Sequence, residues 1–128
     1  MVPEKLGTLE HPGASVTEVR AYFDGLIEDL MTPEGRAGCL MVNSAIELAA
    51  EDSEVATIVR SHMARLERSA TRALRNAKRR GEVPASINPA AKATQLMATG
   101  MGLMVVGKTN PGREVLETIV NTAFADLG

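Results

Sequence analysis

Residues 38–83 read GCLMVNSAIELAAEDSEVATIVRSHMARLERSATRALRNAKRRGEV, and this pattern predicts two consecutive helices. In the first, from about 37 to 50, apolar residues stand at nearly every position, which is typical of a helix buried on most faces. The second begins at Asp52 or Ser53 and ends near Gly81, a natural helix stop. Its inward positions recur every three or four residues. They are Val55, Ile58, Val59, His62, Leu66, Ala70, Ala73 and Ala77.

The flanking sequence predicts three more helices and no pair of strands. Ser15 and Glu18 have the spacing of a capping box, which opens the first of them. Asn-Pro pairs at 88–89 and 110–111 open the other two, because proline suits the first position of a helix. We expect these helices at about 15–31, 88–107 and 111–127. The predicted fold class is therefore all-α, a bundle of about five main helices.

Length and composition indicate one globular domain. The chain has 128 residues, of which 45% are hydrophobic and 23% are charged. We expect the helices to form a single domain over residues 15–128. Prolines and glycines break the pattern before it, which predicts an irregular leader over residues 1–14. Only 2% of the residues are aromatic, which disfavours a surface that stacks bases or sugars.

Cys39 is the only cysteine, so an internal disulfide and a cysteine-based zinc site are both excluded. Simple burial is the expected role of its thiol, although a position at the start of a helix also suits a redox sensor. We expect no bound metal. The sequence lacks a secretory signal and an uncharged apolar run of about 18 residues, so we expect a cytoplasmic protein that does not contact membranes.

Charge is distributed unevenly along the chain. Residues 1–54 carry 3 Lys or Arg and 11 Asp or Glu, a net charge of −8, whereas residues 55–81 carry 8 Lys or Arg and 1 Glu, a net charge of +7. The basic block can attract phosphate, or it can lie against acidic surface from the first half of the chain. Because the sequence pI is near 5.7, we expect this chain alone to bind no nucleic acid.

Several features resemble the C-terminal regulatory domain of the tetracycline-repressor (TetR-type) family of bacterial transcription regulators. A Gly-Cys-Leu segment opens a buried helix that ends in Glu-Leu-Ala, and a long helix with alternating Arg and Glu closes on Arg-Gly-Glu. An Asn-Pro pair then starts a helix of small residues, and a final apolar helix follows. The resemblance covers residues 15–128.

The resemblance implies a dimeric domain that binds a small, mostly apolar effector and has no catalytic residues. Binding would shift the population between two arrangements of the dimer. In this family a DNA-binding head precedes the domain, but residues 1–14 contain no helix–turn–helix pattern. We therefore expect a regulatory domain that lacks its head. The alternative is an interaction protein that forms heterodimers with a full-length regulator.

Polar residues on apolar helix faces are candidates for the effector site. Asn43 and Glu47 lie one turn apart on a helix expected to be buried, where each needs a partner from protein, water or effector. His62 interrupts an apolar stripe and Tyr22 flanks another, although both residue types also occur in ordinary cores. Methionines adapt to ligands of varied shape, but they equally fill cores. The candidate ligand-binding residues are Tyr22, Phe23, Leu26, Met41, Asn43, Glu47, His62, Met63, Leu66, Met97 and Met101.

Small residues on the fourth helix and apolar residues on the fifth predict the subunit interface. Ala93, Gly100 and Gly107 recur at seven-residue spacing, so another helix can approach closely there. By the family resemblance, the last two helices of each subunit form a four-helix dimer interface. Its expected residues are Ala93, Gly100, Met104, Gly107, Val115, Ile119, Val120 and Ala123.

The segment from Gly102 to Thr109 matches the nucleotide-binding pattern G-x-x-x-x-G-K-[ST]. A phosphate-binding loop follows a strand and precedes a helix, and neither is predicted here. A helix end at Gly107, with Lys108 at its negative pole, is the favoured interpretation. A P-loop enzyme stays a remote alternative, and we expect no cofactor.

Overall fold

The chain folds into five α-helices in a computed structural model that describes residues 6–128, apart from the side chains of residues 39–41. No strand occurs within these residues, so the predicted all-α bundle is confirmed. The helices are α1 (Val16–Leu30), α2 (Pro33–Ala49), α3 (Ser53–Arg79), α4 (Pro89–Gly107) and α5 (Arg113–Phe124), and a 3-10 turn follows at Ala125–Leu127. No helix in this part of the chain has the length and apolar character needed to cross a membrane.

Local capping chemistry fixes where most helices begin. The Ser15 amide donates to the Glu18 carboxylate at 2.7 Å, which is one arm of the predicted capping box. Asp52 accepts the first amides of α3, and the Asn88 side chain accepts the Ala91 amide at 3.1 Å. Gly81, at φ +74°, ends α3 in the left-handed conformation that glycine adopts without strain.

Helix α2 begins earlier than the apolar pattern predicted. Its first residue is Pro33, and the Thr32 hydroxyl accepts the Gly35 amide at 3.0 Å. The physical reason is that proline at the first helical position already has the required φ and has no amide to satisfy. Pro33 therefore starts the helix as well as ending the segment before it.

The core lies between α1, α3, α4 and α5. Phe23 is 1% exposed, and its ring packs edge-on against Tyr22 and Phe124, with centroids 5.3 and 5.5 Å away. Leucines from α3, α4 and α5 complete the core. They include Leu66, Leu74, Leu96, Leu103 and Leu116.

The segment before α1 forms turns and packs tightly on α3. Leu6 and Leu9 are fully buried, and the Glu10 carboxylate pairs with the Arg65 guanidinium at 2.5 and 2.6 Å. Arg72 donates to the Glu10 carbonyl, and Asn76 donates to the carbonyls of residues 12 and 14. The leader therefore covers part of the basic surface of α3.

Helix α2 is less buried than its composition predicted. Among its residues with described side chains, Asn43 alone is buried, and Leu48 is 53% exposed. Across the turn, Ile58 is 69% exposed, although its spacing predicted an inward position on α3. Both residues lie near the α2–α3 turn, where most neighbouring residues are also exposed.

Candidate functional site

Two buried polar atoms have no hydrogen-bond partner in the part of the chain that the structure describes. They are the Tyr22 hydroxyl on α1 and Nε2 of His62 on α3. Tyr22 is only 4% exposed, and burial raises the pKa of its phenol to about 12. The hydroxyl therefore keeps its proton at neutral pH and offers an unused donor to any acceptor placed beside it.

His62 supplies a neutral imidazole. Burial lowers the pKa of this half-buried side chain below its ordinary value of 6.5, and the Arg65 charge lowers the pKa further. At neutral pH Nε2 can act as a donor or an acceptor, depending on the tautomer. Neither unpaired atom therefore carries a charge.

Tyr22 and His62 lie on two helices that contact each other, α1 and α3. These helices run antiparallel, because Asn76 near the end of α3 binds the carbonyl of Ala14 just before α1. A Cβ atom at Gly100 would lie 3.6 Å from Phe23 and 3.9 Å from Leu66, so those side chains are level. Tyr22 precedes Phe23 by one residue and His62 precedes Leu66 by one turn, and in antiparallel helices these two steps lead in opposite directions. Tyr22 and His62 are therefore about 7–8 Å apart along the helix axes.

Apolar side chains dominate the other predicted ligand-binding positions. Phe23, Leu26 and Leu66 are buried in the core, while the three methionines of the set with described side chains are half-buried. These methionines are Met63, Met97 and Met101. Flexible thioethers between a packed core and the surface can rearrange around a guest with little strain.

The structure buries only one residue of the predicted polar pair on α2. Asn43 is 6% exposed and donates from its amide nitrogen to the Met104 carbonyl at 3.3 Å, so protein satisfies it. Glu47, one turn later, is exposed, and the expectation that it is buried is wrong. Water solvates a surface carboxylate, so Glu47 needs no partner. The side chain of Met41 lies outside the described residues.

The small residues of α4 face the inside of the same subunit. Ala93 is fully buried, and a Cβ atom at Gly107 would stand 2.6 Å from the Leu30 side chain. Gly100 and Gly107 receive side chains of α1 and α3. Met104 and Val120, also expected at the interface, are 4% and 0% exposed and belong to the core.

The opposite side of α4, here called its outer face, consists of Ala98, Gly102 and Val105 and carries no charge. Val105 is 47% exposed, and Val115 on the neighbouring α5 is 43% exposed. Ile119 and Ala123 follow Val115 at helical spacing and are half-buried. An uncharged apolar surface of this kind on a small protein commonly marks an interface.

Residues 102–107 of the nucleotide-binding pattern are α-helical. Their amides serve the helix instead of encircling a phosphate, and the Thr109 hydroxyl donates to the Val106 carbonyl at 2.7 Å. The favoured interpretation, a helix end at Gly107, is confirmed. Within the described residues, no three His, Cys, Asp or Glu side chains are grouped as a metal site requires.

A family model described as the tetracyclin repressor-like C-terminal domain matches residues 15–123. The chain belongs to this family. The matched region begins at the cap of α1 and ends within α5, so it includes all five helices of the tetracycline repressor-like fold. Comparison with curated proteins and with solved structures gave no match.

Tetracycline repressor-like C-terminal domains are regulatory domains, in agreement with the resemblance seen in the sequence. Sequence reasoning predicted the leader but missed its packing on α3. Leu6 and Leu9, three residues apart, and the adjacent Glu10 were the available signal. An apolar pair followed by an acid is suited to packing on a basic helix such as α3.

Proposed function

We propose that this domain binds a small, mostly apolar and uncharged effector at Tyr22 and His62 and dimerises through α4 and α5. The observation that carries the effector proposal is the Tyr22 hydroxyl, which is buried without a partner. Leaving a buried donor unsatisfied costs about 1–3 kcal/mol. A guest that supplies an acceptor recovers that free energy on binding.

The surroundings define the effector's chemistry. Phe23 packs edge-on against Tyr22, and Met97 and Met101 lie partly buried against the same core, which favours an effector with a largely apolar body. The Tyr22 hydroxyl favours an acceptor on that body, such as a carbonyl or ether oxygen, and His62 offers a second hydrogen bond. Since neither group is charged at neutral pH, an ionised effector would lose its hydration without gaining a counter-charge.

Helix α3 connects the proposed site to the leader. His62 and Leu66 lie on its inward side, whereas Arg65 and Arg72 hold the leader through Glu10. An effector that prefers one placement of α3 would shift the population toward that placement and move the leader with it. We propose this as the regulatory response of the domain.

The proposed dimer face combines the outer face of α4 with Val115, Ile119 and Ala123 of α5. The other side of α5 is already occupied, because Arg113 pairs with Glu28 and Arg20 donates to Asn121 at 2.6 Å. Ala98 and Gly102 allow two copies of α4 to approach closely. Of the interface residues expected from the sequence, the proposal keeps the three on α5 that retain exposure.

The effector proposal is tested with matched ligand pairs. Each pair contains a neutral ketone or ether and the hydrocarbon of the same shape, and a third arm contains the corresponding carboxylate. We expect the neutral oxygen compound to raise the melting temperature of the dimer most. Equal shifts within the pairs, or a preference for the carboxylate, would contradict the proposed site.

A further inference from the structure

A groove with three arginines runs between α3 and the start of α4, away from the proposed effector site. Its volume is about 510 Å³, and Arg68, Arg72 and Arg75 line it together with Ala90 and Thr94 of α4. The arginines stand at i, i+4 and i+7 on α3, so they share one face of the helix. We call this feature the arginine groove.

Most hydrogen-bonding capacity of these arginines is unused by the described residues. Neither Arg68 nor Arg75 makes a hydrogen bond or ion pair within residues 6–128, and Arg72 uses one nitrogen to donate to the Glu10 carbonyl. A guanidinium carries five N–H donors in a planar fork. By contrast, Arg65 beside them is already paired with the Glu10 carboxylate.

The arginine groove is electropositive after its carboxylate is counted. Glu67 is the one acidic residue lining it, and the Thr94 hydroxyl donates to that carboxylate at 2.7 Å. Three guanidinium groups therefore face one lining carboxylate, and the Glu10 carboxylate, which also acts electrostatically on Arg68 and Arg72, is already paired with Arg65. Ala90 belongs to the first turn of α4, so the positive end of that helix dipole adds to the potential.

We propose that the arginine groove binds a phosphate group. Several acceptor oxygens and more than one negative charge match three forked donors better than a carboxylate does, since one arginine already satisfies a carboxylate with two parallel bonds. The phosphate belongs either to a small ligand or to a nucleic-acid backbone. The second source would overturn the expectation from the sequence pI that the chain binds no nucleic acid.

The test uses the full chain and two double variants of equal charge. The groove variant, Arg68→Gln with Arg75→Gln, removes the two guanidinium groups of the groove that make no hydrogen bond or ion pair within residues 6–128. The control variant, Arg60→Gln with Lys108→Gln, removes the same charge at exposed positions outside the groove. Pyrophosphate and a short DNA duplex serve as the two probes, and binding is measured between about 50 and 200 mM salt. Melting curves check that each variant is folded.

We expect the wild-type chain to bind at least one probe, and the groove variant to lose affinity by about tenfold while the control variant keeps it. For the duplex, the slope of the logarithm of the binding constant against the logarithm of the salt concentration should become shallower by about one unit for each arginine removed. Binding of pyrophosphate alone identifies a small phosphate ligand, and binding of the duplex identifies a nucleic-acid backbone. Equal weakening in both variants, or no binding of either probe by the wild type, would overturn the proposal.

Discussion

At the scale of single residues, Tyr22 reports directly on the proposed effector site. It is the only tyrosine of a chain without tryptophan, so its ultraviolet absorbance titrates without interference. We expect its phenolate to form with an apparent pKa of about 12 in the folded protein, because burial disfavours the charged form. Phenolate formation near pH 10, with the helical circular dichroism intact, would show that the hydroxyl is solvated.

His62 predicts a loss of stability in mild acid. Its pKa is lowered in the folded protein, so the unfolded chain binds more protons as the pH falls below 6.5. The free energy of unfolding of the wild type should therefore fall more steeply below that pH than that of His62→Gln. Both proteins keep His11, the only other histidine, so the comparison isolates the effect of His62. Denaturant titrations that give parallel curves would refute this role of His62.

The two polar residues of α2 show that helical spacing does not predict how deeply a side chain is buried. Asn43 and Glu47 share a face of α2, as their four-residue spacing requires, yet only Asn43 is buried. The difference lies along the helix axis, because Asn43 meets the Met104 carbonyl and Glu47 lies a turn beyond it. Periodicity therefore identified the face, whereas depth depends on where another helix crosses.

At the scale of elements, the packing of α4 on α1 makes a prediction about glycines. Gly107→Ala would place a methyl group within 3.0 Å of three atoms of the buried Leu30 side chain, so we expect a loss of about 1–3 kcal/mol in unfolding free energy. Gly25→Ala, in α1, has open space and should gain up to about 1 kcal/mol. Denaturant unfolding measures both changes, and a neutral or stabilising Gly107→Ala would contradict the close contact.

Most helix boundaries were predictable, although α2 begins earlier than expected, at Pro33, and α5 begins later, at Arg113. The orientation of α4 was not predictable. Caps such as Asp52 and stops such as Gly81 act through their own neighbours, so the sequence alone locates them. Helix α4 is apolar on nearly every side, and the spacing of Ala93, Gly100 and Gly107 fits any close partner. That partner is the rest of the same subunit, which leaves Ala98, Gly102 and Val105 outside.

At the scale of the whole molecule, acidic residues from the first half of the chain neutralise only part of the basic block on α3. The sequence left open whether the basic block of α3 binds phosphate or lies against acidic residues. Glu10 of the leader neutralises Arg65, whereas Arg68 and Arg75 stay exposed. Pairing with an acidic residue therefore holds for Arg65, whereas Arg68 and Arg75 are left for the proposed phosphate, and composition alone could not separate the two groups.

The proposed dimer face predicts the assembly state of two matched variants. Val115→Glu places a charge on α5 within that face, and we expect it to shift the dimer toward monomer. Ile58→Glu changes an even more exposed apolar residue near the α2–α3 turn and should leave the dimer intact. Sedimentation equilibrium measures both. A dimer that survives Val115→Glu and dissociates with Ile58→Glu would move the interface to the other end of the molecule.

The central claim is that the buried Tyr22 hydroxyl binds an effector and does not stabilise the fold. The most direct measurement is the free energy of unfolding of Tyr22→Phe beside the wild type, with and without the best neutral oxygen ligand. We expect the unliganded variant to be more stable by about 1–3 kcal/mol, because it loses an unsatisfied buried donor, and to gain less from the ligand. A variant that is less stable than the wild type and keeps the full ligand effect would contradict the claim.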